Sequence, residues 1–311
     1  MAERRTSQRT CSLVVLSVAK DLLFARCAAT AVREPFSMRP LIRPAARVAI
    51  VALGILAGCR SSSPAPTRAP APVVAAPVRS GYATGEDVIA AMHARYAGKW
   101  YRTLTFTQKT SRLQADGKWN VQTWYEALDL PGKLRIDFDP ISAGNGVLYV
   151  RDSAFTVTNG RPLRGTPSIN PLLLLGFDVY GNPPARTAAL LRKEGFDLTQ
   201  VHPDSFQRRP MLVVGARKGD LRRKQFWIDA ENLVFIRTME PARDTTKVQE
   251  VRFLNYERRG DAWVSPRVEI HTDGKLVFHE DYSDMRTDVD LDDALFDPAK
   301  WRTAKHWLVT K

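Results

Sequence analysis

Five histidines and 33 acidic residues are the groups on which a reaction would have to be built, and their spacing does not converge. His271 and His279 flank the Asp273-Gly274 turn signal, where the two strands of one hairpin would bring them within reach of each other. No third ligand stands at metal spacing, and the chain has neither an HExxH pattern nor a Cys/His cluster. Asp288, Asp290, Asp292 and Asp293 open like a calcium loop, but Asp293 occupies the sixth position, where Gly is needed, and Ala299 the twelfth, where a bidentate Glu belongs. An acidic loop is expected there. Asp137 and Asp139 share the polar phase of an alternating stretch with Lys133 and Arg135, the pattern of surface charges and not of a glycosidase pair. A Gly-rich phosphate loop and a nucleophile elbow are also missing. The sequence therefore predicts no catalytic residue, no metal and no cofactor.

One residue does sit in a setting that specifies covalent chemistry. Residues 38–58 begin Met38-Arg39, carry Arg43 and Arg47, run through an apolar stretch from Val48 to Ala57 and end in Leu56-Ala57-Gly58 before Cys59. A basic start, a short apolar core and small residues ahead of a cut site are the three zones of a secretory signal, and the apolar run is too short to be a permanent membrane span. Leu56, Ala57, Gly58 and Cys59 resemble the lipobox of bacterial lipoproteins. That resemblance implies that Cys59 receives a diacylglyceryl group, becomes the first residue after cleavage and anchors the chain to a membrane. Residues 1–37 place charges and a second apolar patch ahead of a complete signal, so Met38 is the expected start, with Cys11 and Cys27 outside the exported protein.

Residues 1–58 hold nine Lys+Arg and three Asp+Glu, which leaves 37 basic against 30 acidic residues downstream and reduces the net charge from +13 to +7. The excess is spread thinly, with short clusters at Arg208-Arg209 and from Arg217 to Lys224. That is a pattern for a solvated hairpin or anionic headgroups, and no nucleic-acid partner is expected. With no exported cysteine besides Cys59, no disulfide is available, and the domain must be held by its core. Residues 59–81 form the lipidated cysteine and a Pro/Ala-rich tether. At about 3.1 Å per residue, its 21 residues from Arg60 to Ser80 reach roughly 65 Å from the membrane.

The folded part is expected over 82–302, with 303–311 as a C-terminal tail. Thr84 and Asp87 read as a capping box ahead of Val88, Ile89, Met92 and Tyr96 at helical spacing. The period then changes to 2. Leu104 and Phe106 alternate with threonines, and Leu134, Ile136 and Phe138 alternate with Lys133, Arg135 and Asp137. Turn signals at Asp116-Gly117, Asn159-Gly160, Glu231-Asn232 and Asp273-Gly274 separate ten or eleven such strands. So many strands predict a mainly β (α+β) fold: a strongly curled antiparallel sheet forming an incomplete barrel, with helices plugging its concave face. The plug is expected from Asn170-Pro171 with Leu172 to Leu175, and from Pro184 to Lys193 ending near Gly195.

The order of these elements carries a resemblance. One N-terminal helix precedes Phe106-Thr107-Gln108-Lys109, Trp124-Tyr125-Glu126 and Pro131-Gly132-Lys133-Leu134-Arg135-Ile136-Asp137-Phe138; then come Phe226-Trp227-Ile228-Asp229, Val251-Arg252-Phe253 and the ending Leu291 to Pro298. Over roughly 82–302 this is similar to the LolA/LolB type of outer-membrane lipoprotein-sorting carriers and receptors. The resemblance implies an apolar cavity beneath a helical lid, holding acyl chains of lipoproteins or lipids. Leu104, Phe106, Leu134, Ile136, Phe138, Leu173 and Leu174 are the corresponding cavity residues. It also implies that Arg135 is a latch between strand and lid. A lipidated member fits the receptor side, in the cell envelope, facing the periplasm from the outer membrane, with inner-membrane retention left open. The alternative from another class is an interaction or sensor module on the same scaffold, recognising an envelope protein partner without a lipid ligand.

Overall fold

The computed structural model describes residues 81–308. The expected signal, the lipobox Leu56-Ala57-Gly58, the expected anchor Cys59 and the expected tether up to residue 80 lie outside the described residues. Helix α1 (Gly85–Tyr96) starts where the capping box places it: the Thr84 hydroxyl accepts from Asp87 N at 3.2 Å, and Asp87 Oδ2 accepts from Thr84 N at 2.8 Å. Its apolar stripe, Val88, Ile89, Met92 and Tyr96, is buried.

A meander follows: β1 (Thr103–Leu113), β2 (Trp119–Asp129), β3 (Lys133–Phe138), β4 (Gly146–Val150), β5 (Ser153–Thr158) and the two-residue edges β6 (Arg161–Pro162) and β7 (Thr166–Pro167). The helical interruption is α2 (Pro171–Gly176), a single 3-10 turn at Asp178–Tyr180 and α3 (Pro184–Lys193). Asn170 caps α2 by accepting from Leu172 N and Leu173 N at 3.0 and 3.3 Å, with Pro171 in the first turn where its missing N–H costs nothing. The second half contains β8 (Val201–Phe206), β9 (Arg209–Val214), β10 (Gln225–Asp229), β11 (Phe235–Pro241), β12 (Val248–Leu254), the small hairpin β13 (Glu257–Arg259) and β14 (Ala262–Val264), β15 (Arg267–Thr272) and β16 (Lys275–Thr287).

Fourteen of these strands form one antiparallel sheet in the order β6-β5-β4-β3-β2-β1-β16-β15-β12-β11-β10-β9-β8, with β7 paired to β5. The long β1–β16 ladder, running from Leu104↔Thr287 to Arg112↔Phe278, joins the two meanders in the middle. The expected incomplete barrel needs correction. The sheet is open, with β6 and β8 at opposite edges, and nothing in its pairing closes it or marks strong curling. The inner face finds its cover in the helices, so burial does not require the strands to meet. Among the described residues no helix is long and apolar enough to cross a membrane.

Both faces are covered over part of their area. The inner face packs with α1, α2 and α3 into the main core, which runs from Leu104, Phe106, Leu134 and Ile136 through Leu173, Leu174 and Leu175 to Val214, Phe226 and Phe278. The outer face of β2 to β5 carries a second cluster. There Ala127, Leu148, Val150 and Val157 pack against Leu295 and Phe296 from the 3-10 turn Asp293–Phe296 and against Trp301, which follows a second one, Pro298–Lys300. Gly146 makes this approach possible, because a Cβ there would stand 2.8 Å from the Trp301 ring and 2.1 Å from Ile136 O. The packed chain continues past 302, since the His306 and Trp307 rings stack at 3.9 Å and His306 reaches Asp137.

Candidate functional site

The alternation of β3 sends Leu134 and Ile136 inward and Arg135 and Asp137 outward, so the two faces of the strand carry different chemistry. On the inner face Phe106 of β1, Glu126 and Leu128 of β2, and Leu134 and Ile136 of β3 line a cavity. Phe253 of β12, Val268 of β15, and Glu280 and Tyr282 of β16 line it from the other meander. Asn170, Leu172, Leu173 and Phe177 border it from α2 and its flanks. Its free volume is about 50 Å³, room for a few waters.

Of the residues expected to line a cavity, the structure brings Phe106, Leu134, Ile136 and Leu173 together here. Leu104 is buried in the core, Phe138 packs against it beside the Trp124 ring at 4.9 Å, and Leu174 borders a smaller hollow with Tyr149 and Leu190.

Two carboxylates in this apolar wall escaped the sequence reading. Glu126 is 6% exposed and is flanked across the ladders by Phe106 and Ile136; Glu280 is flanked by Thr110 and Val268. Neither has a basic partner among the described residues. Arg112, farther along the inner face of β1, sits over the Phe278 ring at 5.9 Å and forms no ion pair with Glu280. Glu280 Oε2 accepts from the Tyr282 hydroxyl at 2.9 Å, and the Tyr282 ring stacks on Phe106 at 4.1 Å. Glu126 accepts no hydrogen bond from a described group. Burial, reinforced by the Glu280 charge, pushes Glu126 well above the usual carboxylate range, and burial pushes Glu280 up to about 7. Gln108, fully buried beside them on β1, donates to Thr110 Oγ1 at 2.7 Å and leaves its own oxygen without a partner. The signal was present in Trp124-Tyr125-Glu126-Ala127-Leu128 and Phe278-His279-Glu280-Asp281-Tyr282: in both, the acid falls on the apolar phase of its strand.

Arg135 corrects the expected latch. It is 3% exposed on the outer face, where Nε and Nη2 donate to Asp137 at 2.8 and 2.9 Å, Nη1 donates to Leu295 O and Nη2 to Trp301 O. Its guanidinium lies 3.8 Å from the Trp301 ring centroid. The contacts a lid latch would need are made to the C-terminal segment instead, because residue 135 is out of phase with the helix-facing positions 134 and 136. Asp137 is corrected with it: it is 1% exposed and not a surface charge. Burial works against its ionised form, yet the hydrogen bonds and charges of His306, 3.3 Å away, and Arg135 outweigh that and hold its pKa below the ordinary value.

The ties between helices and sheet are different ones. Asp178, in the 3-10 turn after α2, accepts from Gly132 N at 2.8 Å, and burial pushes its carboxyl up to about 7. Gly132 offers that N–H from the β2–β3 turn at φ +87. The Tyr180 hydroxyl accepts from Phe235 N at 3.2 Å, and its ring stacks on Trp100 at 3.6 Å. Arg186 of α3 pairs with Asp152 in the β4–β5 turn, and Arg192 joins α3 to Glu86 of α1, helix to helix.

His271 and His279 do not pair with each other. Register sets His279 opposite Glu269, His271 bonds Glu269 Oε2 at 2.9 Å, and His279 bonds Asp281 Oδ2 at 3.0 Å. Of the basic clusters, Arg208 and Arg217 to Arg223 are exposed in loops, and Arg209 pairs with buried Asp229 at 2.5 Å. A wider cleft of about 460 Å³ opens elsewhere, between Met211, Val234, Ile236, Tyr256 and Trp263.

No protein-family model and no curated protein matches the chain. Among solved structures it is similar to a DUF1329 family protein from Desulfovibrio piger, at 16% identity and a TM-score of 0.49, covering 70% of this chain and 98% of that one. It is also similar to a domain from Vibrio parahaemolyticus named for outer membrane lipoprotein sorting, at 13% identity and a TM-score of 0.48, covering 70% and 97%. A LolA superfamily protein from Nitrosomonas europaea follows, at 12% identity and a TM-score of 0.43, covering 67% and 97%.

Proposed function

We propose that this chain is an envelope lipoprotein, tethered through Cys59, whose β-domain binds the hydrocarbon chains of a lipoprotein or lipid beneath α2. The observation that carries the reading is the apolar cavity itself, walled by both meanders and roofed by a six-residue helix that two backbone-directed bonds, from Gly132 N and Phe235 N, help to seat. Each methylene moved from water into such a wall contributes about 0.8 kcal/mol, so chain binding needs no dedicated catalytic or chelating group. A free volume of about 50 Å³ takes up a few waters and not an acyl chain, so entry requires α2 and its turn to lift from the sheet. No reaction is part of the proposal. Lipoprotein sorting to the outer membrane is the process that such an activity and anchor would serve.

The test is native mass spectrometry of the full chain purified from membranes, with lipid extraction in parallel. Lipid-sized adducts released on unfolding are the expected result. A preparation that is lipid-free and also fails to take up a fluorescent fatty-acyl probe ends the reading. Ile136→Asp, which sets a charge in the wall, abolishes folding or uptake; a stable variant with full uptake would show that the inner face is not the site.

A second reading has one observation of its own. The cleft at Met211, Ile236 and Trp263 is wider than the inner cavity, and an envelope protein partner seated there would leave the interior filled by the chain's own helices. Uptake of the acyl probe decides between the two.

A further inference from the structure

Nothing in hydrocarbon binding calls for Glu126 and Glu280. An acid in an apolar wall costs several kcal/mol if it is buried, ionised and unpaired; Glu126 is buried and Glu280 half-buried, and an outer-face carboxylate 11 residues along the chain from Glu126, Asp137, shows how this sheet satisfies one, with the Arg135 guanidinium and the His306 ring. The inner pair has no such supply. From the elements packed around the cavity, β1 contributes Phe106, Gln108 and Thr110, β3 Leu134 and Ile136, β15 Val268, β12 Phe253 and α2 Leu172 and Leu173, all uncharged. Tyr282 donates to Glu280 at 2.9 Å and the neutral Gln108 amide also favours its charged form, while Arg112 lies over the Phe278 ring at 5.9 Å and neither acid forms an ion pair among the described residues.

We infer that this cavity recognises an ammonium-bearing amphiphile, its hydrocarbon tail against Phe106, Leu134, Ile136 and Leu173 and its cationic head between Glu126 and Glu280. The inference rests on the apolar-ligand reading above and adds the head group to it. An ammonium supplies three donors and no acceptor, which matches two carboxylates and the unpartnered Gln108 oxygen. A fatty acid, by contrast, would bring a third carboxylate beside two, and like charges in a desolvated site repel. An alcohol has the tail and one donor but no charge, and falls between them. The raised pKa values of both acids fit a site that waits for a cation: the incoming ammonium displaces protons from the pair, and the preference grows as pH rises toward 8.

The experiment titrates the full chain with dodecylammonium, dodecanol and dodecanoate below their micelle concentrations at pH 7.5, followed by tryptophan fluorescence and calorimetry. Dodecylammonium is expected to bind at least about tenfold tighter than dodecanoate, equivalent to ~1.4 kcal/mol, with dodecanol between. In Glu126→Gln/Glu280→Gln the ammonium loses that advantage and falls to the affinity of the alcohol. Equal affinities for the three probes in the unaltered chain, or tighter binding of dodecanoate, overturn the head-group inference and leave the apolar-ligand reading standing. Failure of all three to bind overturns both. Should the double variant not fold, the ranking of the three probes on the unaltered chain still decides.

Discussion

The two faces of β2 and β3 solve the problem of a buried acid in opposite ways. On the outer face Asp137 has a bidentate Arg135, a nearby His306 and an indole lid in Trp301. On the inner face Glu126 has neighbours of the same burial and no counter-charge. Only alternation separates the two sites, since positions 135 and 137 point one way and 126 and 136 the other. The contrast distinguishes a network that holds the chain together from one kept open for something else. Arg135 ties the sheet to the chain's own C-terminal segment; among the described residues Glu126 and Glu280 form no ion pair, and Glu280 bonds only neutral groups of the same sheet.

Removing one member of the outer network should therefore have the largest effect. Arg135→Ala leaves Asp137 buried without its main partner, and the loss of one side of a buried pair costs about 3–5 kcal/mol. Urea unfolding monitored by circular dichroism measures it. The outer face is structural if Arg135→Met combined with Asp137→Leu recovers most of the loss, because an apolar pair of similar shape replaces an ion pair at little net cost. A loss under ~1 kcal/mol for Arg135→Ala would break the comparison.

The inner face should respond to pH, and with the opposite sign from Asp137. The pKa values of Glu126 and Glu280 are raised in the folded state, so the stability linked to them is present in full below the ordinary value of 4.5 and is lost as pH rises through their folded values, about 7 for Glu280. Asp178, also raised to about 7, acts in the same window. Asp137 is lowered, so its contribution is present above 3.8 and is lost as pH falls through its folded value. Thermal melts should then decline from pH 5 to pH 8, and Glu126→Gln/Glu280→Gln should flatten the decline, gaining about 1–3 kcal/mol at pH 8 and little at pH 5. A variant whose pH profile parallels that of the unaltered chain would show that these acids are not strained.

Much of the fold was legible because it is written in local periodicity. The capping box at Thr84 and Asp87, the Asn170-Pro171 start, the Gly195 stop and the four hairpin turns all stand where residue chemistry puts them. What was not legible depends on partners far away in sequence. Arg135 and Asp137 look like surface charges because nothing near them announces that Trp301, some 160 residues on, will cover them. Barrel closure was inferred from strand number, but helices can cover an inner face without requiring the sheet edges to meet. The cavity acids were visible as a breach of alternation, yet a Glu in phase with Trp124 and Leu128 becomes informative only once Ile136 and Phe106 are known to flank it.

The finest version of the comparison lies on one strand and one face. Lys133 and Arg135 are two residues apart on β3, carry the same charge, and both reach the C-terminal segment: Lys133 bonds Asp293 at 3.1 Å as well as Asp129 at 2.6 Å, and Arg135 bonds Leu295 O. The Lys133 side chain is 34% exposed and that of Asp293 90%, against 3% for Arg135. Water therefore competes for Lys133 and salt screens it, so Lys133→Ala should cost no more than ~1 kcal/mol and less still at 1 M salt. The Arg135→Ala loss should be nearly indifferent to salt, because counter-ions do not enter the space under Trp301. Equal salt sensitivity of the two variants in urea titrations would mean that burial does not separate them, and that the outer face is held by charge in general and not by the enclosed Arg135–Asp137 pair.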